Sequence, residues 1–268
     1  MTTPVRLRAA ITGLIGLAAT EEEMLLASEP RGELGSPGRW AALPLVAHNA
    51  EFRQQQVIRL EAVRRGRTPP GFTEIDHRSP QAYQRYSSAT AAEVITAGRR
   101  SVSELIDGLH AVSDDDLSDA ARHPWLRGRQ LWLQLVVRGF WHPTGHLGDY
   151  HLARKRAGHA VALHSHALAT ARYLGVPDPA LGMAAYSLAC AQAGADTAKD
   201  AIQTLAEAIA LNPDLRTNAQ RDPDLAGLRD SGHLDALLMP ASSSPAPSAT
   251  TSRTQASTSR SAPGRIMK

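Results

Sequence analysis

Cysteine is nearly absent from this 268-residue chain, which contains Cys190 alone. A single thiol excludes an intrachain disulfide and every paired-cysteine motif, and it fits a reducing compartment. Aromatic residues make up 4% of the chain, and the runs of valine, isoleucine, threonine and aromatic residues that are typical of strands are few. Alanine, leucine and arginine are abundant instead. We therefore expect an all-α fold.

Long apolar runs are missing as well. No stretch reaches the roughly 20 apolar residues that a membrane-spanning helix needs. Arg6 and Arg8 precede AAITGLIGLAA, which superficially resembles a signal peptide. The helical spacing of apolar residues continues beyond it through TEEEMLL, however, and this favours a mature amphipathic helix. We expect a cytoplasmic protein without a membrane partner.

The chain has no strong excess of charge outside its C-terminal tail. Its formal net charge is +3, and residues 241–268 contribute three arginines, one lysine and no acid, which leaves −1 on residues 1–240. Four dispersed charges would contact few phosphates, which argues against a nucleic-acid partner. The tail is rich in Ser, Thr, Pro and Ala and poor in large apolar residues, so we predict that residues 241–268 are disordered.

Four long amphipathic segments predict a four-helix bundle within residues 1–156. Ser36 followed by Pro37 is a helix-start signal before the second helix, and Thr90 and Glu93 form a capping box at the start of the third. Residues 71–87 show little periodicity and are predicted to be a long connection. The helices are expected over about 5–27, 40–65, from 90 onward, and 131–156.

Residues 157–240 are predicted to be a separate helical extension. After a helix over about 159–174, the segment AAYSLACAQAGADTAKDAIQTLAEAIALNPDL resembles one tetratricopeptide (TPR) unit, although Gln192 stands where the repeat usually has tyrosine. The matching positions are Leu188, Ala189, Ala201, Leu205, Ala208 and Pro213. One unit cannot bury a core by stacking, so we expect it to pack on the preceding helix and the bundle. Whether it also docks a protein partner stays open.

Histidines supply the strongest chemical pattern in the sequence. In WHPTGHLGDY, His142 and His146 are four residues apart and share one helical face. Asp149 follows three residues later, where it could accept the second N–H of an imidazole. His48 lies on an apolar face of the second helix. Metal sites of the catalytic kind use three protein ligands, so these residues suggest a metal centre, although core histidines are an open alternative.

Pro143, directly after His142, predicts an irregularity in the helix that carries this pair. Proline has no N–H, so the carbonyl of Gly139 loses its partner four residues on, and the ring crowds that carbonyl. We expect a kink over residues 139–143 that changes the direction of His142 relative to His146.

The arrangement resembles the DinB-like superfamily of bacterial four-helix bundles over about residues 5–156. Its members tend to carry one histidine on the second helix and an HxxxH pair on the fourth, which correspond here to His48, His142 and His146. The run GRWAALPLVAHNAEF and the SDDDL turn at 113–117 are also similar. The resemblance implies that the three histidines bind a divalent metal ion, with zinc or nickel favoured. Three imidazoles by themselves suit cobalt and iron as well.

Relatives of this kind include thiol-dependent transferases and a maleylpyruvate isomerase. The resemblance therefore implies a metal-dependent enzyme in detoxification or stress response: a transferase or isomerase that uses a low-molecular-weight thiol, or a hydrolase. The alternative is a non-catalytic scaffold or sequestration protein whose TPR-like end docks a partner. The sequence leaves open whether the chain forms a homodimer. Seven other histidines are predicted to face solvent or cap helices: His110, His123, His151, His159, His164, His166 and His233.

Overall fold

Helices form nearly all the regular structure in the computed structural model, which describes residues 4–29, 35–36, 39–72 and 80–239. The predicted all-α class is confirmed. The described residues up to Leu238 belong to one compact unit. The predicted disorder of residues 241–268 lies outside the described residues. Among the helices that are described, none is both long and apolar enough to cross a membrane.

The four-helix bundle is present, and its fourth helix is composite. Two short helices and a single-turn 3₁₀ helix lie in the connections, and a two-residue antiparallel β-bridge precedes the second long helix. In chain order the elements are α1 (Pro4–Ser28), β1 (Gly35–Ser36), β2 (Arg39–Trp40), α2 (Ala42–Arg64), α3 (Pro80–Ser87), α4 (Ala91–Ala111), α5 (Asp114–Ser118), a 3₁₀ turn (Pro124–Leu126), α6 (Leu131–Val136), a π-helical turn (Val137–Trp141) and α7 (His142–Ala153).

Local signals placed some helix ends correctly and others wrongly. The capping box is confirmed, because Thr90 Oγ1 accepts from the Glu93 backbone and the Glu93 carboxylate accepts from the Thr90 N–H. Ser36, in contrast, lies in the β-bridge, and α2 begins at Ala42. Helix α3 lies in the segment predicted to be a connection. A tertiary contact holds this helix to α2, because its Tyr86 hydroxyl donates to the Glu51 carboxylate.

The irregularity expected near Pro143 is a π-helical turn. Its widened geometry lets the His142 N–H donate to the Val137 carbonyl five residues back, immediately before proline interrupts the hydrogen-bond ladder. The π-helical turn contains one residue more than an α-helical turn. The side chains of α7 are therefore rotated by roughly 100° about the helix axis relative to an uninterrupted continuation of α6. The register of His142 therefore differs from that of an uninterrupted helix. The turn also packs closely, since a Cβ on Gly139 would lie 3.0 Å from the Ile15 side chain.

The C-terminal extension is a series of helices packed against the bundle, as expected. Ala201, Leu205 and Ala208 are fully buried between its two central helices, and Leu152 of α7 contacts Gly194. Its kinship with TPR units and its boundary at residue 156 stay predictions. The elements are α8 (Ala157–Tyr173), α9 (Asp178–Gly194), α10 (Ala198–Leu211), α11 (Leu215–Ala219), a 3₁₀ turn (Pro223–Leu225), α12 (Ala226–Asp230) and α13 (Asp235–Leu238).

A buried ion pair ties α2 to α1 in the centre of the bundle. The guanidinium of Arg53 donates to both carboxylate oxygens of Glu22, at 2.6 and 3.0 Å, and the two side chains are 0% and 4% exposed. Asn49 donates to the same carboxylate, and the Arg53 Nε donates to Ser101 of α4. This satisfies most of the polar atoms, which is the condition under which a buried pair is tolerated.

Replacing Glu22 with alanine is expected to lower the free energy of unfolding by roughly 3–5 kcal/mol, because Arg53 would remain buried and uncompensated. Glu23, the next residue, pairs with Arg99 while both side chains are more than half exposed, so Glu23→Ala should cost less than about 1 kcal/mol. Urea unfolding followed by circular dichroism measures both. Equal effects of the two substitutions would show that the buried pair has no special role.

Candidate metal centre

His48 enters the bundle from α2 and is 2% exposed. Aromatic rings surround it: its centroid lies 5.2 Å from that of Trp40, 4.6 Å from that of Phe52 and 5.4 Å from that of Tyr86. Phe52 also stacks on His142 of α7, with centroids 4.1 Å apart. This shell fixes the orientation of the imidazoles and keeps water from one side of them.

The three predicted histidines converge on one point. The Nε2 atoms of His48 and His146 are 3.2 Å apart, those of His142 and His146 are 3.2 Å apart, and those of His48 and His142 are 3.3 Å apart. Helix α2 supplies one ring and α7 supplies the other two from successive turns. The structure therefore brings together every predicted metal ligand.

The spacing of these nitrogens fits a shared metal ion. Nitrogens bonded to one ion at 2.0–2.1 Å lie about 3.3 Å apart at tetrahedral angles and about 2.9 Å apart at octahedral angles. Hydrogen bonding among the rings cannot explain the arrangement, because each Nε2 carries either one proton or one lone pair. Of three mutually facing nitrogens, at least two must then present like groups to each other. A cation at their centre removes that conflict.

Asp149 lies one turn beyond His146 on α7, and its side chain is exposed. It contributes to the lining of the same pocket as His142 and His146. Its predicted role as the acceptor of an imidazole N–H stays a prediction.

A pocket of about 330 Å³ opens beside the three histidines, between the bundle and the C-terminal extension. The bundle contributes the turn and helix that carry the HxxxH pair, and the extension contributes residues from α8, α9 and the 3₁₀ turn at Pro223–Leu225. The polar and ionisable side chains that line the pocket are those of Arg138, His142, His146, Asp149, His164, Tyr186, Ser187, Cys190, Asp222 and Asp224.

His164 was wrongly predicted to face solvent. It is 5% exposed and lines this pocket from α8, and burial lowers the pKa of its imidazole to about 4. A signal for this position was present, because His164 shares a helical stripe with Ala160, Ala167 and Ala171, all of them buried. Gly148 makes room for the ring: a Cβ there would lie 2.3 Å from the His164 Nε2.

The sequence profile of the DinB superfamily matches residues 2–149. This region contains α1 to α4, both histidine-bearing helices and all three converging imidazoles, and it ends before the extension begins. No curated protein and no solved structure matches the chain.

Two glycines of α7 provide a matched test of the packing around His164. Gly148→Ala is expected to lower the free energy of unfolding by about 1–3 kcal/mol, because the added methyl group overlaps the imidazole. Gly145→Ala places a methyl group where nothing lies within 4 Å, so it should stabilise by up to about 1 kcal/mol through helix propensity. Urea denaturation of both variants gives the comparison; stabilisation by Gly148→Ala would contradict the contact.

Proposed function

This chain belongs to the DinB superfamily, and we propose that it is a divalent-metal-dependent enzyme that uses a low-molecular-weight thiol as a transferase or isomerase. The observation that carries this proposal is the convergence of the Nε2 atoms of His48, His142 and His146 within 3.2–3.3 Å of one another. Zinc and nickel are the ions we favour, because both accept imidazole ligands readily.

The three imidazoles would hold the ion and leave further coordination positions for small molecules. A divalent ion so held supplies Lewis acidity, which lowers the pKa of a bound water or thiol and polarises a carbonyl. The rings of Phe52 and Trp40 pack against His48, which is 2% exposed, and an imidazole binds a metal through its neutral form. The pocket beside His142 and His146 gives a thiol and its electrophilic partner access to this position.

A detoxification or stress role in the cytoplasm belongs to the same proposal. The lone thiol, Cys190, fits a reducing compartment, where low-molecular-weight thiols are kept in their reactive form.

Metal content tests the first half of the proposal. The untagged full chain, reconstituted with zinc or nickel and desalted, is expected to retain about one equivalent by elemental analysis. Alanine at His48, His142 or His146 should reduce this severely. His166→Ala is the matched control, because His166 is 62% exposed and pairs with Glu21 on the surface. Less than about a tenth of an equivalent in the wild type would reject the enzyme and favour the scaffold alternative.

Thiol dependence tests the second half. The metal-loaded protein is expected to accelerate the reaction of a small thiol with an aromatic electrophile such as 1-chloro-2,4-dinitrobenzene, followed by absorbance. His142→Ala should remove at least about 10²-fold of this acceleration, since loss of the ion removes thiol activation. A protein that binds metal stoichiometrically but leaves the rates with several thiols at background would be a metalloprotein without the proposed thiol chemistry.

A further inference from the structure

Three aromatic rings enclose His48, and they differ in how firmly they are held. Phe52 belongs to the long helix α2. Trp40 is fixed from α7, because Arg154 donates to its carbonyl at 3.0 Å. Tyr86 lies on α3, a helix of eight residues. Helices this short are marginal without tertiary contacts, so Tyr86 is the least firmly held part of the enclosure.

A second pocket, of about 760 Å³, borders α3. Side chains from α2, α3 and α4 line it, and Tyr86 is one of them. The same ring contacts His48, with centroids 5.4 Å apart, and Tyr86 is 8% exposed. Tyr86 therefore forms the wall between His48 and this second pocket. The pocket beside the extension reaches His142 and His146 instead.

The Glu51 carboxylate joins α3 to α2 through two contacts. The Tyr86 hydroxyl donates to Glu51 Oε2 at 2.5 Å, and the Arg85 guanidinium pairs with Glu51 Oε1 at 2.9 Å. Burial and the hydrogen bond to Glu51 raise the pKa of Tyr86, so its hydroxyl remains a donor at physiological pH. A third contact, from the Tyr83 hydroxyl to the Gly35 carbonyl, joins α3 to β1. Glu51 thus holds the one residue of α3 that covers His48.

We propose that α3 is a movable cover over His48, held closed by Glu51, and that its opening gives access to the three-histidine site from the second pocket. Hydrogen bonds to an ionised acceptor are among the stronger ones in proteins, which keeps the closed state dominant. Opening exposes the His48 imidazole and leaves in place the long helices that carry the histidines. The inference concerns access to the site and is independent of the thiol chemistry proposed above.

Chemical modification of histidines measures the exposure of His48 directly. Diethyl pyrocarbonate acylates neutral imidazoles that it can reach, and peptide mass spectrometry gives the rate at each histidine. The reagent is applied to the full chain at neutral pH after a chelator has removed any metal, so the result does not depend on metal binding. In the wild type we expect His48, which is 2% exposed, to react at least about 10-fold more slowly than the exposed His166.

Two substitutions release the cover by different routes. Tyr86→Phe keeps the ring and removes only its hydrogen bond, whereas Glu51→Leu removes both contacts of the carboxylate. We expect the rate at His48 to rise at least about 5-fold and about 10-fold, respectively. Glu51→Gln should have a smaller effect than Glu51→Leu, because the amide oxygen still accepts from Tyr86. Glu61→Leu is the matched control, since Glu61 also lies on α2 but pairs with Arg64 of the same helix.

Two further measurements distinguish opening of α3 from a general loss of stability. His123 and His164 are buried elsewhere, at 7% and 5% exposure, so their rates should stay within about two-fold of the wild type. Hydrogen exchange of the backbone amides of α3 should accelerate in Tyr86→Phe and Glu51→Leu, while that of α1 stays unchanged. In the zinc-reconstituted chain, removal of the ion by a chelator should accelerate in the same two variants.

An unchanged rate at His48 in both variants would overturn the proposal, whether or not the amides of α3 exchange faster. Equal acceleration at His48, His123 and His164 would also overturn it, because that pattern indicates destabilisation of the whole chain. Unchanged zinc release from variants whose His48 is more exposed would reject α3 as the route of access. A wild type that retains no metal would reject the metal-dependent enzyme, and the modification rates of the metal-free chain would still decide whether α3 covers His48.

Discussion

The Nε2 atoms of His48, His142 and His146 face one another within hydrogen-bonding distance. The surrounding structure has to hold them in these positions. Each nitrogen presents either one proton or one lone pair, so at least two of the three must present like groups, which repel each other. Their positions must be enforced from outside. The aromatic shell around His48 does this at short range, and the buried Glu22–Arg53 pair fixes α2 against α1. The stability of the bundle thus maintains a geometry that becomes favourable once a cation neutralises the repulsion.

The extension forms one side of the pocket beside the three histidines. Helices α8 and α9 and the 3₁₀ turn near Asp222 face the HxxxH pair of α7 across this pocket and contribute acidic side chains to it. The family match ends at residue 149, before these helices begin. The three candidate metal ligands therefore lie in the region that the superfamily profile matches, while the residues that the extension contributes to the pocket lie beyond it.

The capping box at Thr90 and the HxxxH pair could be predicted because both depend on neighbours within one helical turn. The sequence predicted a kink near Pro143, and the structure has a π-helical turn there. Proline indicates that a backbone hydrogen bond of the helix is lost, but not which backbone conformation replaces it. Helix α3 was missed because its segment is short and polar, and its Tyr86 is held by a carboxylate on another helix. His164 was misassigned although it shares a helical stripe with Ala160, Ala167 and Ala171, all of them buried.

The sequence by itself determined which residues are chemically able to bind a metal, which of them share a helical face, and that the fold is all-α, because composition and a period of 3.6 residues are local properties. The tertiary structure alone decided that His48 meets a pair 94 and 98 positions away, and that the extension places His164, Asp222 and Asp224 around the same pocket. Convergence of this kind depends on how helices pack across long sequence separations. Buried side chains and the buried Glu22–Arg53 ion pair fix the positions of the helices relative to one another. No local pattern in the sequence identifies which residues form these long-range contacts.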